Sequence, residues 1–191
     1  VPAAAHGLAG LCGSSGGVGV VGFTLGGGMG LLGRRLGFAA NSVVAVELVT
    51  ADGVLRRVED ESDPELFWAL RGGGGSFGGV TALEFRLHPV AEVYAGNLFW
   101  PIEQAREVLL AYAAWTETVP DTVSSSIRLL RLPPIPIVPE PLRGRSFINI
   151  VAGVIGDART GAAVIAPLRA IAPAYLDTFA SMSAAGLADV A

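Results

Sequence analysis

Two glycine-dense stretches bracket one β-rich segment, and they limit what this chain can become. The first runs from Gly7 to Gly33, where twelve of 27 residues are Gly and none is charged. The second is the run Arg71-Gly-Gly-Gly-Gly75-Ser76-Phe77-Gly78. Glycine gives up side-chain packing, so such density belongs where the backbone turns sharply or lies against something flat and polar. A membrane helix through Gly26-x-x-x-Gly30 is not expected, because each Gly costs a helix about 1 kcal/mol relative to Ala.

Composition narrows the chemistry further. The chain has 191 residues, 51% of them hydrophobic, which is enough for a real core in one domain or parts of two. All 13 basic residues are Arg, so a phosphate-loop lysine and a Schiff-base lysine are both excluded. A net charge of −4 without basic clusters argues against nucleic acid as a partner. Cys12 is the one cysteine, which removes intrachain disulfides and cysteine-based zinc sites. With only His6 and His88 besides carboxylates, no metal site is read.

Patterning gives the order of elements. Residues 18–24 alternate small and β-branched side chains and predict a strand or strand pair, with a short helical turn at 31–36. Residues 42–50 (SVVAVELVT) are nearly continuous and β-branched, which predicts a strand buried on both faces. Ala51-Asp52-Gly53 turns the chain and 54–58 returns as its partner. Asp63 caps a helix that has Pro64 at its first position, and residues 80–87 alternate as another strand.

A boundary is expected near residues 90–94, giving domains 1–92 and 93–191. Past it the order is strand 93–100, helix 101–116, strand 121–132, a stiff proline-rich connection 133–141, strand 146–155, helix 158–171 and a short strand near 175–179. That β-α-β-β-α-β order resembles a split βαβ, ferredoxin-like layer. Ile102, Ala105, Val108, Leu109, Tyr112 and Ala113 form the expected apolar stripe of the first helix.

Three motifs compete near the N-terminus. Gly28-Met-Gly30-Leu-Leu-Gly33 satisfies GxGxxG with Asp52 downstream, but no full crossover helix follows it, as a Rossmann unit requires. Gly13-Ser14-Ser15-Gly16-Gly17 satisfies GxSxG, and Ser15, Asp52 or Asp60, then His88 run in hydrolase order. The strand–turn–helix context of a nucleophile elbow is missing there.

The third reading accounts for more residues. Val18-Gly19, the Gly26-Gly27-Gly28-x-Gly30 frame, Gly37-Phe38-Ala-Ala-Asn41-Ser42-Val43 and the Arg71–Gly78 block together resemble FAD-linked oxidoreductases of the vanillyl-alcohol-oxidase, berberine-bridge-enzyme-like family. The likeness is strong over residues 1–93. It implies an α+β fold: the second half of a PCMH-type FAD-binding domain, then the start of a substrate domain with an antiparallel sheet and helices. It implies FAD as cofactor, contacted by Ser15, Val18, Gly19, Gly22, Gly26, Gly27, Gly28, Gly30, Asn41 and Val46. Ser15 stands where many relatives carry a flavin-linked cysteine, so no cysteinyl–flavin bond is implied. Phe23 stands where relatives often carry His or Tyr.

The implied activity is transfer of a hydride from a substrate C–H (an alcohol, sugar or secondary metabolite) to flavin N5, with O2 as electron acceptor. The family's adenine-binding half and its catalytic acid or base would lie outside these residues. The chain is therefore expected to be a fragment without a complete active site, one needing a partner chain or a missing segment. A non-catalytic truncated product is the alternative. No signal peptide or transmembrane segment is read, and a cytoplasmic location is favoured.

Overall fold

The structure, a computed structural model, describes residues 2–190. It divides into two compact units: residues up to Ala91 with Ser183–Asp189, and Glu92–Met182 with Val190. Both are α+β and both sheets are antiparallel.

In the first unit a three-stranded sheet has the order β2-β1-β3, with β1 at Val43–Val49, β2 at Leu55–Val58 and β3 at Gly79–Phe85. The run of β-branched residues puts β1 in the middle, where Val46 and Leu48 are fully buried. Three helices accompany it: α1 (Val20–Leu25), α2 (Gly33–Leu36) and α3 (Pro64–Gly73). Asp63 caps α3 by accepting from the Leu66 amide at 3.1 Å, with Pro64 opening the helix. The core joins Leu25 of α1, Phe67 and Leu70 of α3, and Val43, Val46 and Leu48 of β1.

The expected strand at 18–24 is a helix. Val21 and Leu25, four residues apart, pack on the core beside α3, and that burial overrides the β propensity of a Val-rich run. Asn41 sits in a 3-10 turn, Ala39–Ser42; among the described residues only glycines have positive φ. The Rossmann reading also fails here. Only the four-residue α2 follows the glycine motif, and β1 pairs antiparallel with both its neighbours.

The second unit contains β4 (Glu92–Pro101), α4 (Ala105–Thr116), β5 (Val123–Arg131), β6 (Ser146–Ile155), α5 (Ala158–Arg169), β7 (Leu176–Asp177) and β8 (Ala180–Ser183). Strand order is β5-β6-β4-β7, with β8 also on β4. Each helix carries the chain to a strand parallel to the one it left, and an antiparallel strand fills the gap, as in a split βαβ layer.

The α4 stripe differs from expectation. Val108 and Trp115 are buried, while Leu109 and Ala113 face out. Trp115 closes the helix by donating its indole N–H to the Val164 carbonyl at 3.0 Å. The sequence assigned all of 93–191 to a second domain; Ser183–Asp189 instead pack in the first unit, where Leu187 is 2% exposed.

Candidate functional site

The first glycine stretch builds a loop closed on itself. Gly27 and Gly28 accept from the Ala40 and Ala39 amides at 3.0 and 2.9 Å, which fixes the turn before β1. Gly28 has φ +73, and a Cβ there would lie 2.6 Å from Ala39 Cβ and 2.8 Å from the Phe23 ring. At Gly30 a Cβ would overlap the Cys12 carbonyl oxygen. These two glycines are dictated by packing within the chain.

Others are not. A Cβ at Gly17, Gly19 or Gly22 would meet nothing within 4 Å, and none of the three has a positive φ. Gly22 even lies inside α1, where glycine is costly. Gly27 also faces open space, although its φ of +102 demands glycine anyway. Exposed backbone is thus kept bare at Gly17, Gly19 and Gly22, where neither φ nor packing within the chain calls for glycine.

Beside this stretch lies a cleft of about 110 Å³ lined by Cys12, Ser15, Val18, Val20, Phe23 and Ala188, among others. Val18 is 56% exposed there, an unusual position for valine. No lining residue is an acid or a base, and burial pushes the Cys12 thiol pKa up, so the thiol is neutral near pH 7. A wall of small and apolar side chains with uncovered main chain suits a flat, neutral ring whose edge takes backbone hydrogen bonds. It does not suit a pyrophosphate.

Of the sequence-predicted residues, Ser15 and Val18 line the cleft, and Gly19 and Gly22 lie in the bare stretch. Gly26 caps α1, its amide bonded to the Gly22 carbonyl at 3.1 Å. Asn41 is exposed, and its carbonyl accepts from Arg86 at 2.9 Å. Val46 is fully buried in β1 between Val58 and Leu83, so its side chain belongs to the core.

The hydrolase triad does not assemble. The His88 ring bonds Ser42 Oγ at 2.9 Å and its main chain pairs with Ala9, while Asp52 is engaged by Thr50 and Arg56. Sequence reasoning missed the place of Cys12 in the cleft, and of Ala188, which no local signal connects to residue 15.

No protein-family model matches the chain. An FAD-linked oxidoreductase of Dictyostelium discoideum is 39% identical over 113 residues, 58% of this chain and 25% of that protein. The (R)-6-hydroxynicotine oxidase of Paenarthrobacter nicotinovorans is 40% identical over 99 residues, 51% of this chain and 22% of that protein. The crystal structure of 6-hydroxy-D-nicotine oxidase from Arthrobacter nicotinovorans superposes on 98% of this chain with a TM-score of 0.82 and 28% identity, covering 40% of its own length.

Over these stretches the chain is similar to proteins named as FAD-linked oxidoreductases. The chain spans about a quarter of the length of the curated relatives it matches. Physcomitrella patens BBE-like 1 shares its fold at a TM-score of 0.71 and 24% identity, over 92% of this chain and 36% of that one.

Proposed function

We propose that the chain belongs to an FAD-dependent oxidoreductase and supplies one wall of the flavin site, at the 13–30 loop. The observation that carries this reading is the bare main chain at Gly17, Gly19 and Gly22 beside the uncharged cleft of Ser15 and Val18. The residues fit an isoalloxazine: glycines let it approach the backbone, Val18 and Phe23 offer apolar contact, and Ser15 offers a hydroxyl. Gly26, Gly27, Gly28 and Gly30 hold the loop's shape, and Asn41 and Val46 belong to the turn and strand that anchor it. Bound there, FAD would supply two-electron chemistry, taking hydride from a small-molecule C–H at N5 and passing the electrons to O2. The protein's part is to orient the ring and keep that face of it from water.

The test is FAD retention after gel filtration, read from the flavin absorption bands. The chain is compared with Gly19→Leu and Gly30→Ala, alone and extended at its N-terminus by the neighbouring coding sequence. Gly19→Leu should melt like the parent and lose at least tenfold in FAD affinity. Gly30→Ala should lose flavin and lower the melting temperature together, since its Cβ has no room. Equal FAD affinity in Gly19→Leu and the parent would remove the loop from the cofactor site.

A further inference from the structure

Beside the second glycine stretch stands a cation with an unsatisfied buried N–H, Arg71. Arg71 follows the last regular turn of α3, and its guanidinium carbon lies 4.3 Å from the centre of the Phe67 ring. Phe67 is 3% exposed, so the stacked guanidinium is fixed against a core side chain rather than swinging in solvent. Its Nε–H is buried and has no hydrogen-bond partner among the described residues.

Among the described residues Arg71 donates to no carbonyl at the end of α3; the helix ends at a kink, with φ +142 at Gly72. Other arginines of the first unit are used: Arg56 pairs with Asp52, Arg57 with Glu47, Glu59 and Glu84, and Arg86 bonds a carbonyl. Buried N–H groups without partners are rare in folded proteins and call for a specific acceptor.

The adjoining glycine loop has uncovered main chain: a Cβ at Gly72, Gly74 or Gly75 would meet nothing within 4 Å. A guanidinium is a rigid fork of N–H donors that matches two oxygens of one planar or tetrahedral oxyanion.

We propose that Arg71, held over Phe67 at the mouth of the 72–75 glycine loop, is the centre of an oxyanion-binding site that takes a carboxylate or a phosphate group. The site uses no residue of the cleft around Ser15, and it stands whether or not that cleft holds flavin.

The experiment needs no flavin. Melting temperatures of the chain, Arg71→Gln and Arg71→Lys are recorded in sodium phosphate, sodium succinate and sodium chloride at matched ionic strength. At several times its Kd, the preferred anion should raise the melting point of the parent chain by about 2–4 °C above chloride. Arg71→Lys should keep a small part of that rise and Arg71→Gln none. A larger rise with phosphate assigns a phosphoryl group, and a larger one with succinate a carboxylate. As a readout free of folding effects, the Arg71 Nε–H signal in 15N-labelled protein should shift as the anion is added. A silent Nε–H signal, or an equal rise in Arg71→Gln, would overturn the site.

Discussion

At the scale of single residues, identical glycines perform different tasks, and only their surroundings distinguish them. Gly28 and Gly30 leave no space for a Cβ, whereas Gly17, Gly19 and Gly22 leave all of it. In the sequence these five look alike, so the glycine frame was legible and its division into shape and surface was not. His88 gives a similar lesson. As a third member of a GxSxG triad it was a candidate base; in the fold it holds Ser42, and its main chain pairs with Ala9. Burial, with Arg86 adding to it, keeps the imidazole pKa below the usual histidine range. A depressed pKa means that the unfolded chain takes up a proton before the folded one does. Stability should therefore be full above about pH 6.5 and decline as pH falls from there toward the folded value. Urea midpoints at pH 7.5 and 5.5 should show this decline, and His88→Gln should flatten it in that window. An unchanged slope in His88→Gln would show that His88 is not the group responsible.

At the scale of elements, legibility followed the source of the stabilisation. Strands β1 and β6 both stand where patterning put them. Strand β6 is buried along residues 147–154, whereas β1 buries Val43, Ala45, Val46 and Leu48 but leaves Val44 and Val49 exposed, so the expected burial on both faces holds only in part. The N-cap of α3 was also written locally, in Asp63-Pro64. Helix α1 was read as strand because its six residues are helical through contacts with α3, which no short window contains. In α4 the stripe was misjudged because Trp115 takes the buried position through its bond to Val164, on the far side of a sequence gap. A further long-range constraint sits in α5. Gly161 is buried there, and a Cβ on it would overlap Tyr94 of β4, so the helix rests on the sheet at its backbone. Helix propensity favours Ala over Gly by about 1 kcal/mol, whereas forcing a methyl into a packed contact costs about 1–3 kcal/mol. The clash should win. Gly161→Ala is expected to lose up to about 2 kcal/mol in denaturant unfolding of the second unit, net of propensity; a more stable variant would show that α5 shifts freely on β4.

At the scale of the whole molecule, chain order and spatial order part company at one place. The first unit takes in Ser183–Asp189 from near the far end of the sequence, after residues 92–182 of the second unit. Leu187 and Ala184 are buried there, and Ala188 lines the same cleft as Ser15 and Val18. Nothing in residues 183–189 announced this: the segment is short, small in its side chains and without a motif. That Ala188 and Ser15 line one cleft is written in no local stretch of sequence and is visible only in the folded first unit. It also makes the candidate site depend on the return of the chain. Leu187 is 2% exposed, and a carboxylate in its place would be buried without a partner. Leu187→Asp should cost about 2 kcal/mol or more, by loss of a buried leucine and by desolvation of the charge. Its signature would be local. Cys12, half-buried in the same cleft, should react faster with a maleimide in Leu187→Asp than in the parent, while circular dichroism of the second unit's sheet and helices is kept. Equal alkylation rates, with the substitution tolerated, would mean that the returning segment does not wall the cleft.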